Sequence, residues 1–221
     1  MTFVCTGNIC RSAVAERMTR RGLQDWLPGD ADQIEVTSAG TAAVVGSAMH
    51  PASRRALELR GVPGKGHVAK QLTEETVAGS DLVITMTEEQ RAAVLALYPR
   101  GLRKVFTLRE AVGLLRTLPP VVAPMGADGE AHARALVALL ADARRNRVTE
   151  PGQDDVADPI GQPAQAHVEV AQAIEKRLGR LLRALVLPEF AAELWAPAPV
   201  LQSVERVQSS SSSSSSVKNA A

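Results

Sequence analysis

The chain has 221 residues, 45% of them hydrophobic, with 25 lysines and arginines against 24 aspartates and glutamates, a formal net charge of +1. That length suffices for one good core and a small second unit, and the balanced charge excludes the basic excess of a nucleic-acid or membrane-surface binder. No apolar run reaches transmembrane length, and Arg11, Glu16 and Arg17 break up the N-terminus too early for a signal peptide. We therefore expect a cytoplasmic, reducing compartment, in which the two cysteines, Cys5 and Cys10, are thiols with chemistry rather than a structural bridge. Two cysteines without a clustered histidine pair make no four-ligand zinc site, so no metal and no cofactor are expected.

Residues 2–5 (TFVC) read as a short buried strand, and 13–21 (AVAERMTRR) as a helix with Val14 and Met18 on one face and Gly22 as its stop. IEVTSAG, 34–40, is the second strand, with Ile34, Val36 and Ser38 on one side. Pro51 opens a helix that Gly61 closes. DLVITM, 81–86, is a continuous apolar strand of the kind covered on both faces. A helix follows around 87–97, a fourth strand at 102–108 (LRKVFTL) and a further helix in REAVGLLRTL. Residues 130–147 form a charged amphipathic helix. Residues 164–187 form the longest one, with Val168, Ala171, Ile174, Leu178, Leu181 and Leu185 along one stripe. Residues 119–129 and 148–163 are Pro/Gly-rich loops. Strands separated by helices imply parallel pairing through right-handed crossovers. The expected fold is thus a small doubly wound α/β domain, a four-stranded parallel sheet with helices on both faces, spanning 1–188. Residues 189–221 lose the pattern and include a serine run at 209–216 that cannot bury enough surface to order itself.

Ligands of open α/β sheets bind beyond the carboxyl ends of the strands, where the loop 5–12 joins the first strand to the first helix. Its Cys-x5-Arg-Ser spacing lets it curl, so that the backbone of Thr6, Gly7, Asn8, Ile9, Cys10 and Ser12 turns N–H groups inward and the helix N-terminus points at the centre, a nest for a dianion. Arg11 adds a bidentate clamp. The same positive surroundings favour the Cys5 thiolate, a good nucleophile at neutral pH. These are the parts of a phosphoryl-transfer site working through a cysteinyl phosphate. The leaving oxygen then needs a proton, and DDVADPIGQP, 154–163, is the candidate source. The proline after Asp158 holds the aspartate backbone extended and aims its side chain; the alternative is an ordinary Asp-Pro turn before a helix.

VCTGNICRS at 4–12, SAGT at 38–41, GHVAKQL at 66–72, DLVITM at 81–86 and DVADPIG at 155–161 follow one another in the order found in the low-molecular-weight protein tyrosine phosphatases, and the chain resembles the bacterial branch of that family up to about residue 187. The resemblance implies that Cys5 is the nucleophile. It makes Arg11 the binder of phosphate and of the equatorial oxygens of the transition state, and makes Asp158 the residue that protonates the leaving group and then activates water. Ser12 would donate to the Cys5 sulfur, and Asn8 would sit in a left-handed conformation held by Ser12, Ser38 and His67. Cys10 would form a reversible disulfide with Cys5 that protects it from over-oxidation, or simply pack under the loop. The implied partner is a phosphorylated protein, phosphotyrosine first, with a bacterial tyrosine kinase among the compatible substrates; the sequence gives no oligomeric state.

The chain departs from the family pattern in places. Ala13 stands where the family has proline, and only three residues precede Val4, which makes the first strand short and suggests a late start. The large residue that follows SAGT in relatives is replaced by Ala42, Ala43, Val44 and Val45. Ile160 and Gly161 replace tyrosines, and His167 lies near where an aromatic often begins the last helix. Val44 and Ile160 are left as apolar walls for a substrate ring. Two other functions fit the cradle. An arsenate reductase of the same fold relays a disulfide through later cysteines, and none follows Cys10. A turnover-deficient anion- or phosphopeptide-binding module has no need to keep Cys5, Arg11, Ser12 and Asp158 together.

Overall fold

The computed structural model describes residues 1–118 and 129–186. Four parallel strands, β1 (Thr2–Cys5), β2 (Thr37–Gly40), β3 (Val83–Thr85) and β4 (Val105–Thr107), form one sheet in the order β2-β1-β3-β4. Side chains alternate between faces with a period of two. The register therefore puts Phe3, Ile84 and Phe106 side by side on one face, while Val4, Val83 and Val105 point to the other. Both sets are buried, which is why these strands are apolar without alternation.

Seven α-helices accompany the sheet among the described residues: α1 (Arg11–Trp26), α2 (Pro51–Glu58), α3 (Glu74–Ala78), α4 (Glu88–Leu97), α5 (Leu108–Leu115), α6 (Gly129–Ala143) and α7 (Ala164–Val186). α3 and α4 cover one face through Val77 and Val94; the other five helices share the larger core with Phe3, Ile84 and Phe106. α7 is the hub of that layer, packing on α1, α2, α5 and α6 with Ile174, Leu178, Leu181, Leu182 and Leu185 buried along its stripe. Helices on both faces of a four-stranded parallel sheet are the doubly wound architecture expected.

Several boundaries move. α1 runs through Gly22 to Trp26 because Leu23 is buried against the core and Gly22 packs on Leu182, a gain that exceeds the roughly 1 kcal/mol helical cost of glycine. The second, third and fourth strands are shorter than read, and Pro99–Arg103 forms a 3-10 turn instead of the start of β4. The short α3, capped by Thr73, had no periodicity to betray it. Arg144–Asn146 closes the α6 region as a 3-10 turn. The expected loop at 119–129, except its last residue, and the serine-rich tail at 189–221 lie outside the described residues. No helix among those described is long and apolar enough to cross a membrane.

The chain steps from β1 through α1 to β2 on one side, while β3 lies on the other side of β1. The carboxyl end of β1 is therefore the switch point of the sheet, the place where this architecture opens a crevice.

Candidate active site

At that point the loop after Cys5 is tied down by its carbonyls. The oxygen of Cys5 accepts from Thr41 N–H at 2.9 Å, that of Thr6 from Ala42 N–H at 3.0 Å, and that of Gly7 from Val44 N–H at 3.1 Å. The oxygen of Asn8 accepts from Nε2 of His67 at 2.6 Å, that of Ile9 from His50 N–H at 2.8 Å, and that of Cys10 from Val14 N–H at 2.8 Å. Six consecutive carbonyls thus find donors, whereas the N–H groups from Gly7 to Cys10 donate to no backbone acceptor among the described residues. The N-cap of α1, Cys10, supplies no side-chain cap either. With the oxygens bound elsewhere, the loop presents N–H dipoles and a helix N-terminus, an anion cradle.

The SAGT stretch makes this possible. A Cβ on Gly40 would overlap the Thr6 carbonyl oxygen, so only glycine allows the loop so close to β2. Ser38 serves the network around Asn8, whose φ of +55° makes it the only non-glycine with positive φ among the described residues. Lys70 N–H donates to Asn8 Oδ1 at 2.8 Å, which fixes the amide orientation. Nδ2 must then donate, and it does so to Ser12 Oγ and Ser38 Oγ, each at 2.9 Å. Ser38 passes its proton toward Glu16 Oε2 at 2.6 Å. Ser12, accepting from Asn8, keeps its hydrogen for the Cys5 Sγ at 2.9 Å. Directionality therefore ends on the sulfur as acceptor, the state that suits a thiolate. Asn8, Ser12, Ser38 and His67 come together as expected. Sequence reasoning missed Glu16, which also pairs with Arg20, and Gln90, which holds Thr6 Oγ1 at 3.1 Å while accepting from Met86 N–H. Neither carries a local signal in the sequence, since each meets the cradle only through the packing of its helix.

Arg11 is 4% exposed. Its Nη1 donates to the Val156 carbonyl at 3.1 Å and its Nη2 to Asp158 Oδ2 at 2.6 Å, while Nε is buried without a partner among the described residues. The three aspartates of the 154–163 loop separate clearly. Asp154 is buried in a bidentate pair with Arg147. Asp155 accepts from Glu88 N–H at 2.8 Å. Asp158 alone reaches the cradle, half exposed, its other oxygen accepting from Ile160 N–H at 3.2 Å. Val44 stands over the loop, 3.6 Å from where a Gly7 Cβ would lie, and both it (49% exposed) and Ile160 (47%) offer apolar surface to solvent.

Cys5 and Cys10 are both free thiols and both buried. Burial pushes the Cys10 thiol up to about 11, with a hydrogen bond from Ser53 opposing it. His167 does not line the cleft as an aromatic would. It is buried, its Nδ1 lies 2.8 Å from Ser53 Oγ, and its ring stacks on His50 at 4.6 Å between centroids. Burial and then His50 hold it below the usual histidine range. The two histidines, distant in sequence, thus form beside Cys10 the pair that sequence spacing did not reveal.

A cysteine-bearing anion cradle at the switch point of a small doubly wound sheet defines a class of anion-binding folds, and comparison with known proteins makes the class specific. Residues 1–146 match the family described as low molecular weight phosphotyrosine protein phosphatase, and the chain belongs to that family. It is 40% identical over 108 residues to the low molecular weight protein-tyrosine-phosphatase Etp of Escherichia coli K12, covering 47% of this chain and 66% of that one. It is 36% identical over 115 residues to a protein-arginine-phosphatase of Bacillus subtilis, covering 50% and 70%. Among solved structures, the low molecular weight protein tyrosine phosphatase from T. tengcongensis superposes with a TM-score of 0.60 at 27% identity, over 82% of this chain and 96% of that one. The chain thus spans just under two thirds of the Etp sequence. Asp158 and α7 lie beyond the residues that the family pattern matches.

Proposed function

We propose that the protein hydrolyses phosphate monoesters on proteins, phosphotyrosine foremost, through a cysteinyl-phosphate intermediate. The observation that carries this reading is the inverted loop around Cys5. Its carbonyls are all bonded outward, and among the described residues its N–H groups from Gly7 to Cys10 are unclaimed and the buried Arg11 Nε lacks a partner. A phosphate dianion satisfies those donors together and competes with Asp158 for the Arg11 fork. The Cys5 thiolate attacks phosphorus in line as the P–O bond to the leaving group breaks, and protonated Asp158 supplies the proton that the leaving oxygen takes. The resulting carboxylate then accepts a proton from the water that attacks phosphorus, forming a P–O bond as the P–S bond breaks and the Cys5 thiolate leaves. Ser12 donates to the departing sulfur, and Arg11 with the loop N–H groups holds the equatorial oxygens throughout.

Val44 and Ile160 favour a flat apolar substrate group over a charged one, since Asp158 is the one carboxylate that the described residues bring to Arg11. That supports phosphotyrosine over phosphoarginine, on which the name of the Bacillus relative centres. The decisive assay compares para-nitrophenyl phosphate, a phosphotyrosine peptide and a phosphoarginine peptide, using wild type and Cys5→Ser. We expect turnover of the first two, and retained vanadate binding without turnover in the variant. Wild-type-like turnover by Cys5→Ser excludes the mechanism; preference for phosphoarginine excludes the substrate.

A further inference from the structure

We propose that Cys10, His50 and His167 form a binding site for a borderline divalent metal ion of the zinc class, built against the outer wall of the anion cradle. One donor atom from each of the three residues lies within 4.8 Å of the other two. A thiolate with two imidazoles is the donor set of zinc-class ions, and three protein ligands leave a fourth position open. Tetrahedral bonds of about 2.0–2.3 Å require these donors to close by about an ångström, and the stacked imidazoles to turn out of parallel so that the ion lies in the plane of each ring. The three residues come from separate parts of the chain. Cys10 caps α1, His50 precedes α2 and His167 is in the first turn of α7, so the packing of three helices assembles the cluster.

Two observations point to a ligand. His167 is 2% exposed, and its Nε2 is buried with no partner among the described residues. A buried imidazole nitrogen left unbonded is uncommon and calls for an occupant. The second is the supporting shell. Ser53 Oγ lies 2.8 Å from Nδ1 of His167, so a buried hydroxyl orients this imidazole, as outer partners do in metal centres. If Nδ1–H donates to Ser53, the lone pair of Nε2 is free. His50 accepts from Ala52 N–H at Nδ1 over a long 3.3 Å. An ion on Nδ1 replaces that proton, and an ion on Nε2 requires the Nδ1–H tautomer; either exchange gives up only a weak bond. On binding, the Cys10 proton leaves to solvent, the sulfur electron pair forms the bond to the ion, and both imidazoles bind as neutral ligands.

Cys10 belongs to the cradle loop, and the Ile9 carbonyl of the same loop accepts from His50 N–H, so an ion held by Cys10 and His50 pulls on the cradle and inhibits turnover. This consequence rests on the phosphatase reading above; the site does not.

The test is a titration of the full reduced chain with cobalt(II), whose thiolate charge-transfer and ligand-field bands report a sulfur-bearing tetrahedral site without reference to activity. We expect one equivalent to bind in wild type and equally in Cys5→Ser. His50→Gln and His167→Gln should weaken binding by more than the roughly 10- to 100-fold that loss of an outer partner costs, and Ser53→Ala by about that amount. Zinc should displace cobalt and inhibit para-nitrophenyl phosphate hydrolysis in wild type, at concentrations that leave His50→Gln active. Bands that vanish in Cys5→Ser, or that persist at unchanged affinity in His50→Gln, overturn the proposal, because the ion then sits on Cys5 alone. His50 is only partly buried, so its variant decides the question even if the buried His167 variant fails to fold. If cobalt binds as expected but no phosphatase activity exists to inhibit, the site stands and the enzymatic reading falls.

Discussion

Asp154 and Asp158 are four residues apart and chemically identical, and their surroundings give them different work. Asp158→Asn removes the group beside Arg11 and should slow hydrolysis of poor leaving groups by about 100- to 10,000-fold, the usual worth of acid–base catalysis, with a smaller loss for para-nitrophenyl phosphate. Asp154→Asn instead breaks a buried pair with Arg147 and should lower stability by on the order of 1–3 kcal/mol with no leaving-group dependence. Rates across a series of aryl phosphates, with melting curves, separate the two; equal, leaving-group-independent losses would remove Asp158 from its role. Cys10 gives a second residue-scale prediction. Its thiol is protonated below a value raised to about 11, and only the thiolate closes a disulfide onto oxidised Cys5. The folded form therefore contributes stability that is fully present below the ordinary thiol range and lost as pH rises through 11. Formation of a Cys5–Cys10 bridge after mild peroxide should be slow at neutral pH and accelerate roughly tenfold per unit toward that value. Peptide mass mapping of samples quenched between pH 6.5 and 8.5, a range set by about two units below the ordinary thiol value, checks it; a pH-independent yield would contradict it.

Among the elements, β2 does more than pair with β1. Its last residue, Gly40, pairs with the 66–72 segment on one side and admits the Thr6 backbone on the other, through Gly40 N–H to Lys70 O and Leu72 N–H to Gly40 O. The strand, the cradle and the His67 segment are therefore one rigid assembly. Gly40→Ala forces the cradle outward, against backbone on both sides. We expect a loss of on the order of 1–3 kcal/mol, typical of overpacking. Weaker phosphate or vanadate binding should accompany it, because the Cys5 and Thr6 carbonyls lose their register with Thr41 and Ala42. Thermal melts and vanadate inhibition read the two effects; a variant with normal Tm and normal inhibition would show that the close approach is not needed. α1, by contrast, begins without a capping side chain, an omission that leaves its N–H dipoles for an anion.

At the scale of the molecule, α7 joins the helices of the larger layer. It packs on α1, α2, α5 and α6, brings His167 against His50, and follows directly on the loop that carries Asp158. The domain we propose for 1–188 ends just after this helix. A chain stopped at residue 188 should keep the wild-type Tm and kcat/KM, since the helical periodicity is lost from 189 and the serine run at 209–216 has no apolar surface to bury. A chain stopped at 160 should fail to fold, because it exposes the core that Ile174, Leu178, Leu181 and Leu182 cover. Loss of stability in the longer fragment would place part of the folded unit beyond 188.

What the sequence determined by itself is local. The strands at 2–5 and 81–86, the helix opening at Pro51, the long stripe of 164–187 and the Cys-x5-Arg-Ser loop each carry their signal within a few residues, because period, capping and loop spacing are short-range properties. Asp158 stood apart from the two neighbouring aspartates through the proline that follows it and the family resemblance; the fold then turned Asp154 to Arg147 and Asp155 to Glu88. The passage of α1 through Gly22, the service of Glu16 and Gln90 to the cradle, and the meeting of His50 with His167 beside Cys10 were decided by tertiary packing alone. Each depends on which surfaces the sheet and helices bring into contact, and a single chain read in order carries no local trace of contacts made across a hundred residues.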